Sequence, residues 1–320
     1  MCCSYGSTNG CIRCESAGGD TLPAEIIELT DLTDLRYAYN TNGCAHHRLD
    51  DAIELIARAG YDGVALTLDW HHLDPLADDY RRRARSLRKE LQARKLAVVI
   101  ETGARYLLNP AQKHEPTLIN PHAEGRLRRL NFLKRAVDIA GILEAETVSF
   151  WSGIKQERVP GNAAWVYLRE GLAEVVAYAE REGVHLSLEP EPGMLVETNQ
   201  DFERLTADDP RFASLPALAL DLGHVWVTGE SDPVEAIRKY RDRLGTVSIE
   251  GMRRGVHQHL PLHEGDMPIA PLLAALRDID YRRLVCVELS RESPRAHEAI
   301  PQSISFLRRA EAGNLDQSSR

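Results

Sequence analysis

Acidic and imidazole side chains recur at the ends of apolar runs in this chain. "HLSLEPEP" (185–192) carries Glu189 and Glu191, and "LALDLGH" (218–224) carries Asp221 and His224. "TVSIEGM" (246–252) carries Ser248 and Glu250, and "LVCVELS" (284–290) carries Glu288. Leu186 and Leu188 belong in an interior, and a carboxylate directly after them stays charged only where something neutralises or binds it. Earlier in the chain, Asn40, His46 and His47 follow "LRYAYN" (35–40), and Asp69, Trp70, His71 and His72 close or follow "GVALTLD" (63–69). Glu101 sits near the end of "LAVVIET" (96–102), and Trp151 lies in "TVSFWSG" (147–153). Carboxylates and imidazoles brought to one place suit a divalent cation. Mixed oxygen and nitrogen donors fit Mn²⁺, Mg²⁺ or Co²⁺, with Zn²⁺ also accommodated. The plainer alternative is that each acid caps a helix N-terminus or pairs with an arginine. Glu189, Asp221 and Glu288 stand at matching depths in their runs, which favours the cation over three separate caps. Glu191, between two prolines, then shapes the next turn and faces a substrate.

These residues meet only if the runs are strands of one sheet. Continuous apolar runs without polar alternation indicate strands buried on both faces, as in a parallel sheet. Amphipathic stretches separate them; in "RLDDAIELIARAG" (48–60), Ile53, Ile56 and Ala57 share a stripe. Gly60 and Gly183 stand where helices would end, and Asp232 before Pro233 reads as a capped helix start. Eight such units in about 285 residues predict a (β/α)8 TIM barrel, whose active site forms at the C-terminal ends of its strands. An open doubly wound sheet would carry a glycine-rich phosphate turn after its first strand. "YNTNGCAHH" carries none. The expected domain is a single barrel over 32–310, with a disordered cysteine-containing extension over 1–31 and a tail over 311–320. The stretch 103–122 reads as a long loop over the barrel mouth.

The chain has a net charge of −9 and a pI near 5.8, against a protein built to grip nucleic acid. No apolar run approaches the roughly 20 residues of a membrane span, and no secretory signal precedes the first strand, so the expected location is cytoplasmic. Cys11 and Cys14 form a CxxC pair, but Cys2 and Cys3 are poorly placed to complete a tetrahedral zinc site.

"LSLEPEPG", "LALDLGHVW", "GMRRGVHQHLPLHEGDMP" and "LVCVELS", in that order and spacing, resemble the second half of the xylose isomerase-like TIM-barrel family, the sugar phosphate isomerase and epimerase group. The resemblance spans roughly residues 32–310. It implies a metal held by a Glu on strand 5, an Asp on strand 6, a His on strand 7 and a Glu on strand 8. By position these are Glu189, Asp221, a strand-7 residue and Glu288, with Glu189 and Glu288 also the catalytic acids. One departure stands out: Ser248 occupies the place of the strand-7 histidine. A histidine from the following loop, His257 or His259, is expected to point inward and fill the vacancy. Glu250 is the second option, and a weakened site that binds without catalysis is the third. The resemblance also makes His224 a contact to substrate or to a second metal, and "HEGDM" (263–267) places Glu264 and His263 nearby. Trp70, His71, His72 and Trp151 are expected substrate walls, and Arg253 with Arg254 an expected phosphate contact. The implied activity is isomerisation or epimerisation of a sugar, keto-sugar or cyclitol through an enediolate. A lyase on a modified sugar and a silent sugar-binding barrel are the alternatives. A phosphodiesterase like endonuclease IV would need more histidines and a basic groove. The family further implies homo-oligomers.

Overall fold

The computed structural model describes residues 34–313 other than 208 and 213–215. The expected N-terminal extension with its CxxC pair, and most of the expected tail, lie outside the described residues. Eight parallel strands close into a barrel. They are β1 (Arg36–Asn40), β2 (Gly63–Thr67), β3 (Ala97–Glu101), β4 (Val148–Trp151), β5 (Leu186–Glu189), β6 (Ala217–Asp221), β7 (Leu244–Ile249) and β10 (Leu284–Val287). Around the ring the order is β1-β10-β7-β6-β5-β4-β3-β2. Each strand falls within or beside one of the eight apolar runs, so the predicted barrel is the observed one. Helices α1 (Leu49–Ala59), α2 (Tyr80–Ala93), α3 (Ala123–Leu143), α4 (Gly161–Glu182), α5 (Asn199–Ala207), α6 (Leu222–Thr228), α7 (Pro233–Lys239), α8 (Ile269–Asp278) and α9 (Ala296–Glu311) occupy the connections and the C-terminal end.

Local chemistry sets the element ends. Gly60 and Gly183 close α1 and α4 with left-handed φ of 88° and 66°. The Asp232 carboxylate accepts from the Val234 amide at 2.7 Å, opening α7 with Pro233 in its first turn. The large apolar core lies between barrel and helices, where Phe132, Phe150, Leu168 and Ile237 pack. A second, smaller cluster of Ala38, Ala65, Val99, Leu284 and Cys286 packs separately.

That second cluster explains the site. Side chains on a strand repeat their face every second residue. Two residues beyond Ala38, Ala65, Val99 and Cys286 stand Asn40, Thr67, Glu101 and Glu288. Two residues beyond Ser149 and Ser187 stand Trp151 and Glu189. All six residues so reached line one cavity. The barrel thus turns small or apolar side chains at one level into chemically active ones a level higher, at the C-terminal end.

One element was not anticipated. The stretch after β7 forms an antiparallel hairpin, β8 (Gly251–Arg253) and β9 (Val256–Leu260), with Arg253 paired to Val256. Gly255 takes the left-handed φ of 73° that the tight turn needs. Gly265, beyond the hairpin, backs directly onto the Met252 backbone. A methyl group there would overlap the Met252 amide nitrogen and carbonyl oxygen. Gly265→Ala is therefore expected to lower stability by about 1–3 kcal/mol in a urea melt; an unchanged midpoint would show that the loop yields freely.

Candidate metal and substrate site

β5, β6 and β10 deliver three carboxylates to one point. Ligand oxygens of Glu189, Asp221 and Glu288 lie within 4.8 Å of one another. Two of the three are held from the side. The Asp221 Oδ1 accepts from the His224 amide at 2.8 Å, so Asp221 caps α6 and is fixed by doing so. Its Oδ2 is buried without a hydrogen-bond partner. Glu288 Oε1 accepts from Asn42 Nδ2 at 2.8 Å. Among the described residues, none of the three pairs with a lysine or arginine. Burial, and then the charges of Glu191 and Glu288, push Glu189 well above the ordinary carboxylate range. Asp221 is held below its usual value: burial pushes it upward, but the combined pull of His224, His259 and the His224 amide outweighs that. An orphaned buried oxygen beside two further carboxylates is a donor set that fits a divalent cation.

The histidines form a second cluster beside the acids. Ring nitrogens of His224, His257 and His259 also lie within 4.8 Å of one another. His257 and His259 are two apart on β9 and so share a face, and both reach inward. His224 Nδ1 donates to the Pro190 carbonyl at 3.1 Å, and His259 Nδ1 donates to the Glu288 carbonyl at 3.2 Å. A carbonyl can only accept, so these contacts fix the protons on Nδ1 and leave each Nε2 facing the cavity. His257 Nε2 lies 3.2 Å from His224 Nε2. Burial alone would lower His224, but Asp221, Glu191 and Glu288 together raise it above its ordinary value. His257 is pushed down to about 4 by burial, then by His224 and His259. A charged His224 donating to a neutral His257 satisfies both shifts. The carboxylate group and the imidazole group are thus neighbours: His224 Nε2 is 3.7 Å from Asp221, and His257 Nε2 is 3.7 Å from Glu191.

Ser248 faces its paired neighbours Asp221 and Cys286 across the sheet. Glu250, the other expected substitute, is fully buried; its carboxylate oxygens have no hydrogen-bond partner, and His259 Nδ1 stands 3.9 Å from Oε2. Burial, then the charges of Asp221 and Glu288, keep it well above the carboxylate range, as a neutral acid behind the site. Gly223 leaves the space that its carboxyl fills.

The cavity over these groups measures about 400 Å³. Glu189, Glu191, Trp151, His224, His257, His259 and Glu288 line it, with Glu101 on the β3 side. Several expected contacts lie elsewhere, His71 among them. Trp70 is 70% exposed on its loop. His72 turns into a separate hollow between α1 and α2, with its Nε2 3.3 Å from the His47 carbonyl. Arg253 ends β8 exposed, and its neighbour Arg254 stacks 3.8 Å over Trp226. Glu264 is exposed beside His263 on the turn after β9. In each case a loop direction that the sequence does not encode decided the outcome. Asn42, Arg105 and Arg291 line the cavity without having been singled out.

The sequence profile of the xylose isomerase-like TIM barrel family matches residues 53–310. Fructoselysine 3-epimerase of Shigella flexneri is 26% identical over 259 residues, covering 77% of this chain and 87% of that protein. Inosose dehydratase of Geobacillus kaustophilus is 27% identical over 154 residues, covering 42% of this chain. The chain spans about half the length of that dehydratase, 49%. Among solved structures, L-ribulose 3-epimerase superposes with a TM-score of 0.68 at 20% identity, covering 87% of this chain and 96% of that one. The IOLI protein with a zinc atom superposes at 0.67 and 16% identity, covering 88% and 100%. Among the described residues, no helix is long and apolar enough to cross a membrane. With the closed barrel, the acids at its strand ends and a profile match over most of its length, the chain belongs to the xylose isomerase-like TIM barrel family.

Proposed function

We propose that the chain is a metal-dependent isomerase or epimerase of a sugar, keto-sugar or cyclitol. The observation that carries this is the convergence of Glu189, Asp221 and Glu288, the first two buried and the third half-buried, with no lysine or arginine paired to any of them among the described residues. Those three residues would hold the cation, with His257 and His259 adjoining. A divalent ion bound there would polarise a substrate carbonyl and acidify the neighbouring C–H bond.

The chain's own groups divide the proton work. β5 and β10 are three strands apart around the ring, so Glu189 and Glu288 approach a bound substrate from different sides. One carboxylate takes the proton next to the carbonyl, giving an enediolate, and the other returns a proton. Return to the same carbon from the opposite face makes an epimer; return to the neighbouring carbon makes an isomer. Asn42 aims Glu288 by its 2.8 Å hydrogen bond. Trp151 supplies a flat wall for the sugar face, with His114 edge-on at a centroid distance of 5.4 Å. Glu101 serves as a neutral carboxyl. Burial, then the charge of Glu288, raises it to about 8, so at neutral pH it can donate a hydrogen bond to a substrate hydroxyl.

A second reading, dehydration, is favoured by His224. Its ring lines the cavity wall, with Nδ1 bonded to the Pro190 carbonyl and Nε2 turned to the open space, where it can hand a proton to a leaving oxygen. The same carbanion could expel a β-hydroxyl: the C–O bond breaks, and the leaving oxygen departs as water with the proton from His224.

Three measurements test this. With Mn²⁺ present, solvent deuterium should enter a ketohexose or an inosose, and Glu189→Gln or Glu288→Gln should slow that entry by about 100-fold or more. No exchange across a broad panel would defeat the enzyme reading, while water loss in place of exchange would select the dehydratase. Mn²⁺ at about 100 times its dissociation constant should stabilise the protein by about 2.7 kcal/mol in thermal melts. Asp221→Asn should remove most of that gain. The third concerns pH. Because the Glu101 carboxyl keeps its proton to about 8 when folded, against 4.5 ordinarily, the metal-stripped protein loses stability as pH rises through that window. Glu101→Gln lacks the loss, so its melting temperature relative to wild type should climb from pH 5 to pH 8. A constant difference would show that Glu101 ionises normally.

A further inference from the structure

Charge in the cavity is segregated. The acids gather at the floor, yet three cations line the same space: Arg105 and Lys113 from the loop after β3, and Arg291 just beyond β10. None of the three forms an ion pair among the described residues. Elsewhere some guanidinium groups close on carboxylates, as Arg36 does on Glu146 at 2.7 Å, and others on backbone carbonyls, as Arg135 does on Pro75 at 2.7 Å. Here they leave Glu101 and Glu288 alone, although all share one cavity. Arg105 is half-buried and held in place: its Nη2 donates to the Asn42 carbonyl at 2.7 Å. The Asn42 side chain donates in turn to Glu288. The long loop thus carries Arg105 past β2 to the β1 side, next to the strand from which Arg291 emerges. The rest of its donor fork has no partner among the described residues. Across the ring, β4 and β5 lie opposite β10 and β1, and their ends present Trp151, Ile154 and Met194. One wall is therefore cationic and the floor acidic, and the facing wall sets these apolar side chains beside Glu191.

We propose that the substrate is an anionic carbohydrate, carrying a carboxylate or a phosphate at the end remote from its carbonyl, with that oxyanion held by Arg105, Arg291 and Lys113. The proposal deepens the isomerase reading and rests on it for the orientation of the carbonyl toward the floor. A guanidinium fork with unused donors matches the flat oxygen pairs of carboxylates and phosphates. A neutral sugar would leave the unused donors of the half-buried Arg105 unanswered. The assignment replaces Arg253 and Arg254, whose positions outside the cavity exclude them.

The test compares three ligands on the Mn²⁺-loaded full chain: a ketohexose, the same ketose with a terminal phosphate, and the same ketose with its terminal carbon oxidised to a carboxylate. Solvent deuterium exchange reads KM. Calorimetry with an alditol and its terminal phosphate and carboxylate counterparts, which have no carbonyl and do not react, reads binding alone. At least one anionic form is expected to bind about tenfold or more tighter than its neutral partner. Whichever form wins identifies the oxyanion. Arg291→Gln, a change at an exposed position, should cut that preference about tenfold, and Arg105→Gln with Arg291→Gln should bring it near one. Equal binding of neutral and anionic ligands overturns the proposal, as does a preference that survives both substitutions. Exchange on neutral ketoses with no anion preference defeats this proposal and leaves the isomerase reading standing. An anion preference among the alditols with no exchange on any carbonyl does the reverse.

Discussion

Like charges held together in a space with little water govern this molecule. Three carboxylates within hydrogen-bonding distance of a common point cannot all ionise without a compensating cation. The protein brings Glu189, Asp221 and Glu288 to such a point; among the described residues no lysine or arginine pairs with them, and His224, 3.7 Å from both Glu189 and Asp221, is their basic neighbour. Every other feature of the mouth accommodates that conflict. Asp221 is steadied by a helix amide, Glu288 by an asparagine, and Glu189 is driven toward its neutral form. Glu250 sits behind, likewise pushed toward its neutral form by burial. A basic residue inserted among them would relieve the repulsion and remove the site's affinity for an ion at the same stroke.

Geometry distributes those charges. Strand period fixes which residues face the interior, and the closed ring fixes where they meet. Both were legible in the chain. The eight apolar runs named the strands, and their terminal acids named the converging carboxylates. The helix caps at Gly60, Gly183 and Asp232 were equally readable, because each rests on one residue's own backbone or side-chain preference.

Loop placement was not readable, for a physical reason. Trp70 and His72 lie two residues apart after β2, yet one is exposed to solvent and the other buried in a separate hollow. Arg105 crosses to the far side of the mouth through a single hydrogen bond to a backbone carbonyl, a contact any residue can offer. The hairpin was hidden because its strands are short and the longer one mostly polar. Its glycine turn and the two-residue spacing of His257 and His259 were the available signals. That spacing puts both rings on one face, which resolves more than the choice between them.

The hairpin has a consequence for how such barrels diversify. β8 and β9 pair only with each other, and they rest against α6, the short helix capped by Asp221. The ring of eight strands closes without them. Two of the three clustered imidazoles therefore ride on an appendage, while the carboxylates belong to the frame. Exchanging one short ribbon would recast the nitrogen donors beside the acids and leave the scaffold's hydrogen-bonded closure untouched, so new reactivity could be grafted on without refolding the rest.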